Sequence, residues 1–142
     1  MQLDKGKKAE KFILDYLDKR DKYTYVARFV DTYDANKGRW GDATQKKVIV
    51  EERPCDAMLI DGGVTYFLEV KSTSDKVGIS SNLFSKQKAA RIRITKAGGS
   101  YLYLIYSYFY EQWYRVPYSE LNENANWFEL EKFKVDFPKV PI

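Results

Sequence analysis

The chain has 142 residues, 31% of them charged and 44% hydrophobic, with a formal net charge of +4. That length holds one domain with a real core but not comfortably two, and the mildly basic balance is compatible with a nucleic-acid partner without requiring one. There is no histidine and only one cysteine. This excludes a Ser-His-Asp triad, a His-ligated zinc site and an internal disulfide, and leaves chemistry to carboxylates, lysine, tyrosine or a water activated by a metal ion. The single cysteine points to a reducing compartment. The Lys-rich start has no apolar stretch behind it, and nowhere is there an apolar run of the roughly 18 residues that a membrane span needs. The expectation is a soluble, cytoplasmic protein.

Residues 5–20 (KGKKAEKFILDYLDKR) read as a helix, with Ala9, Phe12, Ile13, Tyr16 and Leu17 on one apolar stripe. Lys5, Lys7, Lys8 and Lys11 crowd its first turns, where the helix dipole prefers acids, and so hint at an anionic partner. Glu10 lies beside the stripe, at the rim of whatever the helix packs on. Residues 22–30 alternate and are rich in Tyr, Thr and Val, which predicts a strand. Residues 31–47 predict a long loop made basic by Lys37, Arg39 and Lys46 and carrying Trp40, a composition suited to a nucleic-acid backbone or a base stack. A short strand at 48–51 would follow.

The stretch from Arg53 to Ser72 predicts a hairpin: strands at 55–60 and 64–71 around Asp61-Gly62-Gly63. A second helix is expected from residue 84 or 85 to 97, ended by Gly98-Gly99. Residues 100–110 (SYLYLIYSYFY) are apolar or aromatic on both faces, as in a strand central to a sheet. Residues 112–116 predict another strand and 118–124 a short helix or turn. Residues 1–126 would form the domain, and 127–142 a tail lying on the body or on a partner. The order of elements predicts a single α/β domain, a mixed central sheet flanked by helices.

The hairpin carries the chemistry. Residues two apart on a strand share a face, so Glu69 and Lys71 point the same way while Tyr66, Leu68 and Val70 point to the other side. Asp56, one step before its own strand, reaches toward Glu69 across the hairpin. Two carboxylates with a backbone carbonyl, at Val70, and waters make a natural Mg²⁺ site, and Lys71 beside it would orient the attacking water or balance charge on the phosphorane. Glu10 would supply a third acid. The competing readings are a surface ion pair of Glu69 and Lys71 on an edge strand, and a helix-surface Glu10 paired with a nearby lysine.

These residues resemble the PD-(D/E)XK nuclease superfamily, through Glu10, Arg53-Pro54-Cys55-Asp56 and Glu69-Val70-Lys71-Ser72. Three further segments, KGKKAEKFILDYL, FSKQKAARIRITKAGGSYLYLIY and WYRVPYSEL, resemble the archaeal-type Holliday junction resolvases, a likeness running over roughly residues 5–122. The resemblance implies a restriction-endonuclease-like fold and a homodimer that binds four-way DNA junctions and nicks two opposing strands with Mg²⁺ or Mn²⁺. It makes Asp56, Glu69 and Glu10 metal ligands, Lys71 the catalytic lysine and Gln87 a residue near the phosphate. The DNA contacts would be Lys5, Lys7, Lys8, Lys37, Arg39, Lys46, Arg53, Ser72 and Lys86. Cys55 departs from the pattern by separating Pro54 from Asp56, and the region before Pro54 is longer than in that family. The alternatives are a restriction or repair nuclease of the same superfamily, or a DNA-binding module of this fold without catalysis.

Overall fold

The computed structural model describes residues 4–29 and 53–141; the loop expected at 31–47 and the strand expected at 48–51 lie outside them. Helix α1 spans Lys5–Arg20, and its start is set by Asp4, whose carboxylate accepts the Lys7 amide at 2.8 Å. Asp4 thereby supplies the acid that the lysine-rich first turn lacks. Ala9, Ile13, Leu14 and Leu17 are buried on one face, with Phe12 and Tyr16 half-buried beside them, so Leu14 joins the stripe that the sequence predicts.

Among the described residues six strands follow: β1 (Thr24–Arg28), β2 (Ala57–Asp61), β3 (Val64–Thr73), β4 (Ser100–Ser107), β5 (Gln112–Pro117) and β6 (Lys134–Val135). They lie side by side in chain order in one sheet. All neighbours are antiparallel except β3 and β4, which run parallel from Tyr66↔Ser100 to Thr73↔Ser107. The β2–β3 hairpin turns through Gly62 and Gly63, at φ 59° and 88°, the two positive values that a two-residue turn of this hand requires. A parallel pair needs a crossover, supplied by residues 74–99 and containing helix α2 (Lys88–Lys96).

Period-two alternation in β4 splits the interior into two cores. Leu102, Leu104 and Tyr106 face α1 together with Leu59, Leu68, Val70 and Trp113. Tyr101, Tyr103 and Ile105 face the crossover side with Phe84, Val116, Trp127 and Leu130. Every β4 residue from Tyr101 to Ser107 is buried, as expected of a strand covered on both sides. Residues 127–140 belong to this body. Trp127 stacks on Tyr114 at 5.2 Å and donates its indole N–H to the Asp75 carbonyl at 2.9 Å. Val140 enters the α1-side core, and the Trp113 indole N–H bonds the Pro138 carbonyl at 3.0 Å.

Strands β2 and β3 shift by one or two residues from the expected 55–60 and 64–71, and other boundaries differ for a local reason. The second helix starts at Lys88, not at 84 or 85, because the Arg91 guanidinium takes the Phe84 and Lys86 carbonyls, at 2.9 and 3.2 Å. Residues 81–84 form a 3₁₀ turn instead. Strand β4 stops at Ser107, whose hydroxyl accepts the Tyr110 amide at 3.0 Å and turns the chain. Strand β1 begins only at Thr24, because the Asp21 carboxylate accepts the Tyr23 amide at 2.8 Å. Among the described residues no helix is long and apolar enough to cross a membrane.

Trp127 ties the tail to β5 and to the crossover at once, so Trp127→Ala should cost ~3–5 kcal/mol of stability. Urea unfolding followed by far-UV circular dichroism measures it; a loss below about 1 kcal/mol would mean the tail contributes little to the fold.

Candidate active site

The site grows out of the point where β2 begins. The Asp56 amide donates to the Leu68 carbonyl at 3.0 Å, and its carboxylate Oδ2 accepts the Val70 amide at 2.7 Å. The Asp56 side chain thus continues the β2–β3 ladder past the last backbone pair. In a strand the N–H and C=O of one residue point the same way, so the Val70 carbonyl also faces the Asp56 side. Glu69, next along β3, turns to the crossover face and is 2% exposed. Since β3 lies between β2 and β4, the edge-strand ion pair is ruled out for Glu69. Helix α1 brings Glu10 to the same place from the other face.

Arg53 and Lys71 stand against these acids. Arg53 Nη2 stands 3.0 Å from Asp56 Oδ1 and 3.9 Å from Glu10 Oε1, and Lys71 Nζ stands 4.0 Å from Glu69 Oε2. Burial dominates the electrostatics. It pushes Glu10 up to about 7, helped by hydrogen bonding to Asp56 and by that acid's charge. It pushes Asp56 to about 6, with the Glu69 charge adding to it. Glu69 is raised by burial as well, against the lowering effects of Asp56, Lys71 and Arg53. Glu10 and Asp56 therefore titrate close to neutral pH, as acids crowded out of water do. Glu69 Oε2 is buried and has no hydrogen-bond partner among the described residues.

A cleft of about 380 Å³ opens over the cluster. It gathers Glu10, Asp56, Glu69, Val70, Lys71 and Gln87 with Lys7, Arg53, Ser72 and Lys86, most of the residues singled out from the sequence. Lys5 and Lys8 are not on it; they border a separate hollow with Tyr106 and Tyr108, where the Lys5 ammonium lies over the Tyr108 ring. Lys37, Arg39 and Lys46 lie outside the described residues. Gln87 is not inside α2 but caps it, at φ 61°, and its amide donates to the Arg53 carbonyl at 3.1 Å. Cys55 is fully buried in the crossover-side core, its thiol donating to the Ala57 carbonyl at 3.1 Å. Burial pushes that thiol up to about 12, so it is no nucleophile.

Sequence pattern alone does not single out Arg91. It is 1% exposed, and by holding the Phe84 and Lys86 carbonyls it builds the turn that carries Ser85, Lys86 and Gln87 over the cleft. Its signal was an arginine three residues before Ile94, on the face of α2 that packs inward. Nor does the pattern show the Arg53 contacts with the acids, because a basic residue beside such a motif reads first as a phosphate contact.

No protein-family model and no curated protein matches the chain. A solved structure does: Archaeoglobus fulgidus Hjc, a Holliday junction resolvase from an archaeal hyperthermophile. The match covers 92% of this chain and 88% of that one, with a TM-score of 0.51 and 17% sequence identity. The fold is restriction-endonuclease-like. At that identity the likeness is one of fold, and the chemistry has to be argued from the cleft itself.

Among the described residues no group of three or more carboxylates or thiols already stands as a metal cage. The donor set nevertheless fits a hard divalent cation. It offers oxygens only, one of them the partnerless Glu69 Oε2 and another the outward Val70 carbonyl, and such ions take oxygen ligands and keep several waters.

Carboxyls raised on folding stabilise the native state while protonated. Their contribution is full below about pH 4, where they are protonated folded or unfolded. It is lost as pH climbs through the folded values of about 6 for Asp56 and about 7 for Glu10. Asp15, lowered by its hydrogen bond from Lys11, acts in the opposite sense at lower pH. In EDTA the melting temperature should therefore peak under mildly acidic conditions and fall toward pH 8, with Glu10→Gln flattening the fall. Scanning calorimetry across this range checks it; a melting temperature still rising from pH 5 to pH 8 would contradict the assigned shifts.

Proposed function

We propose that this protein is a metal-dependent endonuclease that resolves four-way DNA junctions by nicking opposing strands as a homodimer, inside the cell. The observation that carries the reading is the meeting of Asp56, Glu69 and Lys71 in one cleft, with Glu10 and the Val70 carbonyl beside them and Lys7, Arg53 and Lys86 on the rim. What supports the choice of substrate is the fold shared with a Holliday junction resolvase, together with the motifs that extend beyond the acids.

Asp56, Glu69, Glu10 and the Val70 carbonyl would hold Mg²⁺ or Mn²⁺. Such an ion, when bound, polarises the scissile phosphate and acidifies the attacking water. The chain's own groups do the rest. With no histidine present, the Lys71 ammonium, 18% exposed, is the group on β3 that can orient the water and balance charge as the phosphorane forms. Lys7, Lys86 and Ser72 meet the strand's phosphates, and Gln87 fixes the main chain at Arg53. A twofold dimer would present one such cleft to each of the two equivalent strands of a junction.

A labelled four-way junction and its component duplex, each with and without Mg²⁺, provide the test. The junction should be cut in paired, opposing strands only with the metal, and the duplex should survive. Asp56→Asn and Lys71→Ala should each slow cutting on the order of a hundredfold or more while junction binding, followed by gel shift, persists. Equal cutting of junction and duplex would favour a linear-duplex nuclease, and unimpaired cutting by either variant would reject the site.

A further inference from the structure

Arg53 stands against the acid cluster, on the side of Asp56 and Glu10. Its Nη2 lies 3.0 Å from Asp56 Oδ1 and 3.9 Å from Glu10 Oε1, so the guanidinium closes one side of the acid cluster. The main chain there is clamped. The Arg53 carbonyl accepts the Gln87 amide at 3.1 Å and the Pro54 carbonyl accepts the Tyr101 hydroxyl at 2.9 Å. The side chain is not clamped in the same way. Apart from the two carboxyls, its one hydrogen bond among the described residues is a long one, 3.5 Å, to the Phe29 carbonyl. The cleft its guanidinium borders also holds Lys7, Lys71 and Lys86.

A divalent ion held by Asp56 and Glu69 would compete with the guanidinium for Asp56 Oδ1 and would repel it across a few ångströms of poorly hydrated space. Arginine, with its planar fork of donors, suits both a carboxylate pair and a phosphate. We propose that Arg53 is the counter-ion of the metal-free acid cluster, and that divalent-cation binding displaces its guanidinium into the cleft, where it takes up a phosphate of the bound DNA strand. The inference rests on the metal-dependent nuclease reading. It turns Arg53 from a fixed DNA contact into a group that holds the acids until the ion arrives and engages DNA only afterwards. A purely structural ion pair would leave metal affinity unimproved by its removal.

Two measurements separate these possibilities, and neither depends on cleavage. In the first, Mg²⁺ and Mn²⁺ are titrated calorimetrically into DNA-free wild type, Arg53→Gln and Arg53→Lys. Removing the competing charge should tighten metal binding by about tenfold or more in Arg53→Gln. Arg53→Lys keeps a cation but loses the planar guanidinium whose Nη2 faces both carboxyls, and should fall between the two. In the second, junction affinity is measured against salt concentration in EDTA and in Ca²⁺. The logarithmic slope of wild type should exceed that of Arg53→Gln by about one phosphate contact in Ca²⁺ and by none in EDTA. If Arg53→Gln fails to fold, Arg53→Met, which also removes the charge, carries both measurements. Equal or weaker metal binding by the variants, with wild type binding normally, overturns the proposal and leaves the nuclease reading intact. A slope difference already present in EDTA overturns the hand-over to DNA. A wild type that binds neither ion overturns the proposal and the metal-dependent reading together.

Discussion

The hydrogen bond from the Val70 amide to Asp56 Oδ2, at 2.7 Å, is the constraint on which the site depends. At the mouth of the β2–β3 ladder a side-chain carboxylate does what a backbone carbonyl does everywhere else in the sheet. The acid is thereby placed by the strand register, not by a flexible loop, and it is 4% exposed. An acid so tied is costly to bury and costly to move. The surrounding sequence answers with Arg53 on one side and, through Glu69, Lys71 on the other. Asparagine keeps an acceptor oxygen at the same place, which makes Asp56→Asn a test of the charge with little disturbance of the ladder.

Topology brings the remaining parts to this point. The chain has to leave the carboxyl end of β3 and return to the start of β4, because these two strands run parallel. The first half of that crossover therefore passes over the end of β3 where Glu69 and Lys71 sit. Whatever residues lie there become the far wall of the cleft. In this chain they are Asn82, Ser85, Lys86 and Gln87, held in a bent path because Arg91 takes two carbonyls that would otherwise enter a helix. Gln87 adopts a left-handed conformation that costs a non-glycine residue energy. The hydrogen bond from its amide to the Arg53 carbonyl joins the crossover to the segment that carries Asp56.

How far the sequence disclosed this depends on whether the determinant was local. Helix α1 was legible to the residue, because its stripe and its closing basic turn are local patterns. The Gly62-Gly63 turn fixed the hairpin, and with it the side of the strand on which Glu69 and Lys71 fall. Strand β4 was legible as central from its two apolar faces. The start of α2 was not, since it is decided by a guanidinium seven residues beyond Phe84 that competes for its carbonyl. The sequence left residues 127–140 open between the body and a partner for the same reason. Their charges mask Trp127 and Val140, whose burial depends on Tyr114 and α1, partners distant in the sequence. At the site, residue identity showed which groups were acids, but not that Arg53 would lie between two of them.

Arg91 shows how the buried charges of the crossover side are kept apart. It is a cation with no acid partner among the described residues, set instead against the rings of Tyr103 and Tyr118, at 5.8 and 5.4 Å. Burial raises the Tyr101 and Tyr103 phenols, the Glu69 charge raises both further, and Arg91 lowers both. The two tyrosines are thus within electrostatic reach of both charges and stay neutral. Tyr103, with Tyr118, gives Arg91 the negative face of an aromatic ring. Had Arg91 paired directly with Glu69, the carboxylate would have been satisfied internally. Because it does not, Glu69 Oε2 remains, among the described residues, a buried acceptor without a hydrogen-bond partner, lining the cleft 4.0 Å from Lys71 Nζ.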